Sequence, residues 1–443
     1  MTTKKDTLSG DYATSSDGLS GYRNVLAIVT ALTLLQTAMA ALAVVVALTL
    51  RGQGVSNIVL GAVSSAFAGG FLIGARFSPI EIARIGHIRS FALFAASATI
   101  GALALHFAGH WFVWLIIHCA LGLCCAALFA SGESWIADAA PQHLRGSIIG
   151  FYHLISKAGA IAGPFIVSGL IGSVESFMLL GILFASSLIP VTSTRRSQPV
   201  LTTATPYGPK KIFDVAPTAA VAAFCAGAVN NSVAQLYPVF TATIAPEDGV
   251  GFTAQFNAFM LAGAMISLWP AGLISDRMDR RVVIGVLGCV GATSAFLLWI
   301  FAGADQKSLT LTLAALYGAG SLSYYAIAVA HAADRSQPEE TTSIMAGILV
   351  IWGIGSVVGP IAAGAVMNTQ SNGKGLFLFA GVILTLMVTL LFTRIIRMKK
   401  PVPTEDKEAF AASPATSLAI AEFDPRGGDE QFDLFSNSEE ASE

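Results

Sequence analysis

Two ionisable residues sit deep inside apolar runs: Glu133 in SGESWIAD and Lys157 in YHLISKAGA. A charge in such a setting costs about 2.5–3.5 kcal/mol on insertion scales, so each asks for a reason. Glu133 falls about seven residues before the end of its run and Lys157 about twelve after the start of the next. At about 1.5 Å rise per residue this puts them roughly 7 Å apart in depth, a gap that a lysine stem spans. The spacing predicts either a structural ion pair or a carboxylate, Glu133 first, that takes up a proton or touches a solute. His331 is the weaker proton carrier, with an interfacial histidine as the alternative, and His118 and His153 are the other titratable groups within the runs.

A second cluster is the stretch WPAGLISDRMDRRVV, with Asp276, Arg277, Asp279, Arg280 and Arg281 between two apolar runs. Acids just ahead of a helix are favoured by its dipole, and the arginines can bridge to carboxylates on neighbouring helix ends. Asp138 with Arg145, and Asp334 with Arg335, stand at comparable helix ends. The cluster reads either as a latch that forms and breaks or as basic residues that only set topology.

Other chemistries find little support. No GxxxxGK[ST] phosphate loop is present, which argues against an ATP-driven pump in this chain. His118 with Cys119 in HCALGLCC is the one candidate for an intramembrane nucleophile and base. The five cysteines lie in apolar runs without metal-site spacing and read as small buried hydrophobes. The expectation is therefore a non-enzyme with no cofactor, no metal and no nucleic-acid partner.

The elements that must hold these residues are membrane helices. With 54% hydrophobic and 12% charged residues and a mean hydropathy of +0.69, the chain is an all-α integral membrane protein by composition. Applying a span length of about 20 residues gives twelve candidates. They run at about 24–50, 57–78, 88–106, 110–138, 146–172, 175–194, 214–244, 252–275, 282–303, 308–333, 341–368 and 374–396. The first has no small-residue cleavage site and reads as a span, not a signal peptide. With the N-terminus inside, the tails and inner loops hold 21 of the 25 basic residues, leaving Arg51, Lys307 and Lys374 outside and Lys157 within a span. Both termini should be cytoplasmic, in a cell inner membrane.

The chain divides into a cytoplasmic tail 1–23, a six-helix half 24–194, a cytoplasmic loop 195–213, a second six-helix half 214–396 and a tail 397–443. Asp138, Gly159, Gly163 and Pro164 recur 196 residues on as Asp334, Gly355, Gly359 and Pro360, which predicts a duplicated unit in parallel orientation. The last segment is rich in Pro, Ser, Ala and acids and is expected to be disordered.

The stretch Gly272-Leu-Ile-Ser-Asp276-Arg277-Met-Asp279-Arg280-Arg281 resembles the loop signature of the major facilitator superfamily, with Asp279 where the family prefers glycine. The first-half loop GARFSPIEIARIGHIRSF keeps Arg84, Gly86, His87 and Arg89 but lacks the acid, so an asymmetric cytoplasmic gate is expected, stronger in the second half. GAIAGP (Gly159–Pro164) and GSVVGP (Gly355–Pro360) look like the family's Gly/Pro motif, serving close helix packing, bending, or both. SGESWIAD and YYAIAVAHAADR look like a bacterial branch whose members are mostly assigned as transporters by family alone.

The resemblance implies twelve spans in two pseudo-symmetric halves, with helices one, four, seven and ten facing a central cavity. Their midpoints carry Thr33, Gln36, Thr37, Ser131, Glu133, Asn230, Asn231, Gln235, Ser321, Ser323, Tyr324 and Tyr325, to which His153, Asn257 and Trp352 add. Hydroxyls more often bond their own helix, so the amides carry more weight. The implied function is secondary active transport of a small organic solute by alternating access, coupled to protons. The lining suits an uncharged or mildly polar compound, such as a vitamin-like one taken up (riboflavin is an example). A multidrug or metabolite exporter, or a non-transporting sensor on the same fold, is the alternative. The implied partners are the solute, protons and the lipid bilayer, for a monomeric protein.

Overall fold

The computed structural model describes residues 10–140, 145–193, 207–337, 340–370, 373–397 and Phe410. Most of the 397–443 tail, the start of the central loop and residues 1–9 lie outside that description. Fifteen α-helices follow one another, with no strand among the described residues: α1 (Gly10–Gly52), α2 (Asn57–Ile85), α3 (His87–Ala104), α4 (Trp111–Ala139), α5 (Arg145–Val167), α6 (Val174–Ser186), α7 (Leu188–Thr192), α8 (Pro209–Val215), α9 (Pro217–Ile244), α10 (Gly249–Arg277), α11 (Arg280–Phe301), α12 (Lys307–Ser321), α13 (Tyr324–Ala333), α14 (Thr341–Thr369) and α15 (Gly375–Arg397).

Eleven stretches among the described residues are long and apolar enough to cross a membrane. The twelfth expected span is α5, whose 23 residues extend about 34 Å but are diluted by His153 and Lys157. Three details differ from the sequence expectation. Helix α1 starts at Gly10 inside the expected tail, because extending an existing helix is far easier than nucleating one. The sixth span is two helices in sequence, α6 and α7, and the tenth is likewise split into α12 and α13 at Leu322–Ser323. The end of the central loop folds as α8, held to the start of α14 by Lys211 and Tyr207, which both donate to Glu340 Oε1 at 2.9 Å.

The repeat is visible in the packing partners. Helix α1 packs on α5 as α9 packs on α14; α2 packs on α4 as α10 on α12; α3 packs on α6 as α11 on α15. Missing side chains make the α2/α4 contact possible: a Cβ at Gly122 would lie 2.0 Å from the Phe67 carbonyl oxygen. Its counterpart Gly318 would place one 1.8 Å from the Met260 oxygen in the α10/α12 contact. The halves meet through α1 with α9, α2 with α14, and α5 with α10. Large apolar side chains such as Phe107, Ile266, Trp269 and Ile396 remain exposed on the outside, as a lipid-facing surface requires.

Candidate functional site

At one end of the bundle, the charged stretch forms a network inside the second half. Arg280, 1% exposed at the start of α11, donates through Nε to Asp334 Oδ2 at 2.6 Å. It also forms an ion pair through Nη2 with Asp276 Oδ1 at 3.2 Å and donates through Nη1 to Ser275 Oγ at 3.1 Å. The ends of α10, α11 and α13 are thus tied by one guanidinium. A buried arginine needs such partners, and its planar donor fork serves several at once.

Among the described residues these ion pairs join groups within one half. Asp279, in the family's glycine position, caps α11 by accepting from the Arg281 N–H at 3.0 Å and holds Arg281 Nη2 at 2.7 Å. Burial pushes the Asp279 carboxyl up, but the hydrogen bonds and charge of Arg281 outweigh that and hold it below the usual range. Arg277 is exposed. His331, 3% exposed, lies within the electrostatic reach of Arg335, Asp279, Arg281 and Arg280, so it belongs to this end and not to the middle of the bundle.

The first half is built differently at the equivalent place. Among the described residues Arg84 pairs only with Glu81 on its own helix, at 2.8 Å and largely exposed, and Arg89 and Asp138 are exposed as well. Gly86 makes the joint between α2 and α3 with φ 86°, a backbone region that favours glycine. The buried side chain at the start of α3 is His87, within electrostatic reach of Asp138, where the second half has Arg280 and Asp334. Among the described residues, the ion pairs at this end therefore differ between the two halves. Arg145 begins α5, and its side chain lies outside the described residues.

At the opposite end, the two halves are joined by a residue that sequence reasoning treated only as a topological charge. Arg51, in the last turn of α1, donates Nη1 to the Val239 carbonyl and to Thr243 Oγ1, both at 2.5 Å, and Nη2 to the Ala242 carbonyl at 3.4 Å. Ala242 lies in the last turn of α9, where the carbonyls a helix end leaves free are a natural seat for a cation. Beside it the Asn57 N–H donates to Asn368 Oδ1 at 3.1 Å, linking α2 to α14. Gly61 and Gly364 let these two helices touch, since a Cβ there would meet the Pro360 and Asn57 oxygens at 2.1 and 2.2 Å. Arg51 was detectable as the only basic residue in the outer loops of the first half.

Between the two ends lie the expected cavity residues. Gln36, Asn230, Asn231, Gln235 and Trp352 are partly accessible and Lys157 is exposed, all part-way along helices that contact the other half. Asn230 Nδ2 donates to the Ser321 carbonyl at 2.9 Å and accepts from Ser321 Oγ at 2.7 Å, bracing the α12/α13 break. Asn231 Nδ2 donates to the Ser356 carbonyl at 2.9 Å. Ser323 shares a hydrogen bond of 2.6 Å with Ser267 at the same break. Asn257 Nδ2 donates across the halves to the Ala160 carbonyl at 3.0 Å. Thr33 and Thr37 bond their own helix, to the Val29 and Thr33 carbonyls. Ser131 and Tyr324 are buried with no partner for their hydroxyls among the described residues, and Tyr325 rests against Trp352 at 6.3 Å between centroids.

The expected Glu133–Lys157 ion pair is not formed. Glu133 is 1% exposed and accepts a 2.8 Å hydrogen bond from the hydroxyl of Tyr152. Lys157 is exposed one turn beyond His153 on α5, and no acid lies within ion-pair distance of it among the described residues. The depth estimate placed the two charges near one another but could not fix rotation about α5. Tyr152 was missed because a tyrosine in an apolar run carries no sequence mark of a polar role.

The Gly/Pro motifs are packing sites here. A Cβ at Gly159 or Gly163 of α5 would lie 2.7 or 2.5 Å from a carbonyl oxygen of α1. At Gly355 and Gly359 of α14 the distances to α9 carbonyls would be 2.2 and 2.1 Å. Pro164 and Pro360 lie within continuous helices.

Comparison with known proteins agrees with this architecture. The profile of the family described as Major Facilitator Superfamily matches residues 26–304 and 219–427. A Salmonella heidelberg protein named uncharacterized MFS-type transporter YcaD is 24% identical over 380 residues, covering 83% of this chain and 95% of that protein. An Enterobacter sp. protein, also an uncharacterized MFS-type transporter, is 25% identical over 374 residues, with the same coverage of 83% and 95%. Among solved structures, the nucleoside transporter NupG superposes with a TM-score of 0.67 at 13% identity, covering 85% of this chain and 99% of that one. An inward-facing, occupied bacterial homolog of the human lysosomal transporter Spinster superposes with 0.66 at 14% identity, covering 87% and 97%.

Proposed function

The chain belongs to the major facilitator superfamily, and on that premise we propose that it moves a small organic solute across the inner membrane by alternating access, coupled to protons. One observation carries this reading. The hydrogen bonds traced between the halves, from Arg51, Asn57 and Asn257, all lie towards the Arg51 end of the bundle. Among the described residues, the ion pairs at the Arg280 end join groups of the second half. With the termini cytoplasmic, as the basic residues favour, the arrangement is that of a carrier closed outside and open inside.

Asn230, Asn231 and Ala234 share one face of α9, and Trp352 and Gln36 offer further aromatic and hydrogen-bonding surface. This lining supports an uncharged or mildly polar, hydrogen-bonding solute taken up from outside. Glu133, buried and held by Tyr152, is the group we assign to the proton. NupG is a nucleoside transporter, but at 13% identity the shared fold does not choose a cargo for this chain.

The test is transport by the purified chain in proteoliposomes, using a panel of vitamin-like, nucleoside-like and drug-like solutes with a pH gradient of either sign. The expected outcome is accumulation driven by an acidic exterior and lost in Glu133→Gln. Movement against that direction assigns export. An unchanged rate and pH profile in Glu133→Gln removes the proton from that residue. If no solute in the panel responds to either gradient, a non-transporting sensor becomes the better reading.

A further inference from the structure

Beyond the end of α15, one residue of the C-terminal segment is described, and it sits on the charged stretch. The backbone N–H of Phe410 donates to Asp276 Oδ2 at 3.1 Å. Its ring covers Gly272, where an added Cβ would lie 2.2 Å from Cδ1 and 2.6 Å from Cε1 of the phenyl group. The ring also packs against the buried apolar cluster of the bundle. The absence of a side chain at Gly272 therefore makes a seat for an aromatic ring, and the carboxylate one turn on holds the backbone that carries it.

The location of the seat gives it meaning. Asn257, which reaches the first half through the Ala160 carbonyl of α5, and Gly272 are both on α10, fifteen residues or just over four turns apart. They fall on nearly the same face of that helix. Towards the Arg51 end this face meets α5, and towards the Arg280 end it meets Phe410. In a state closed at the Arg280 end, the inner part of α5 would come onto the place the ring occupies. Phe410 follows Arg397 by thirteen residues, at most about 45 Å of extended chain, ample to reach α10.

We propose that the C-terminal segment acts through Phe410 as a tethered wedge, seated on Gly272 and Asp276 of α10, that competes with α5 for this face and holds the inner end open. The wedge depends on the alternating-access reading only for its effect on transport. Its test reads conformation, so either idea can fail without the other.

Nitroxides are placed at Gly146→Cys on α5, an exposed position with open space around it, and at the exposed Met278→Cys after α10. The two accessible native thiols, Cys119 and Cys289, are replaced by serine, and the full chain is studied in lipid nanodiscs by pulsed dipolar spectroscopy. The parent should show mainly long distances. Phe410→Ala, and truncation after Lys400, should each add a shorter population. Gly272→Ala should produce the same shift with the tail intact, because its methyl group and the ring cannot share the site, and adding Phe410→Ala to it should change nothing further. Identical distributions in the parent, Phe410→Ala and the truncated chain would overturn the wedge. A shift in Gly272→Ala that Phe410→Ala does not share would also overturn it, by making Gly272 a helix-packing residue alone.

Discussion

Arg280 is a cation with almost no exposed surface, and what it does follows from that. Removing one partner of a buried ion pair leaves the other charge uncompensated, at a cost of about 3–5 kcal/mol. Asp334→Asn should therefore lower the thermal unfolding midpoint in detergent markedly, while Asp138→Asn, at the repeat-related but exposed position, should leave it nearly unchanged. Equal effects of the two would remove the asymmetry between the halves. The participants in this network were legible in the sequence, because five charges between apolar runs demand an explanation. Their pairing was not, since Asp334 lies 54 residues from Arg280 and the contact exists only once α11 and α13 are packed. The pairing of Glu133 with Tyr152 was hidden for the opposite reason: the helices were correctly placed, but their rotation was not encoded in depth.

The helices themselves were the most legible level, because crossing a hydrocarbon layer imposes a length and a composition that few other contexts share. Their breaks were harder to see. The α12/α13 interruption at Leu322–Ser323 carries no proline and is sustained by tertiary bonds from Asn230 and Ser267. The repeat was detectable through Gly159, Gly163 and Pro164, yet tighter repeated contacts involve Gly122 and Gly318. A valine at Gly318 would drive its Cβ into the Met260 carbonyl, so Gly318→Val should reduce the amount of folded protein recovered from membranes severely. Gly303→Val, with nothing within 4 Å, is the matched control and should express normally. Comparable yields would show that α10 and α12 can part without cost.

For the whole molecule, the two ends differ in kind: one joins the halves, and the other ties helices within a half. Arg51 contributes most of the hydrogen bonds traced at the joined end. Losing roughly 1.4 kcal/mol of that contact shifts the balance of closed and open states about tenfold. In an Ala234→Cys reporter, whose position is exposed midway along α9, Arg51→Ala should speed labelling by a membrane-impermeant thiol reagent applied outside by about that factor. No acceleration would mean that the glycine-lined contact of α2 with α14 is enough to keep the outside shut.

The partners Arg51 uses have a further consequence. Two of its three acceptors are backbone carbonyls and the third is a hydroxyl, so none of them gains or loses a proton at any physiological acidity. A fastening made this way holds equally well in neutral and acid surroundings. Ambient acid is therefore not the key to this door. Any signal that loosens it has to come as mechanical displacement of α1 against α9, begun by whatever occupies the space beneath it.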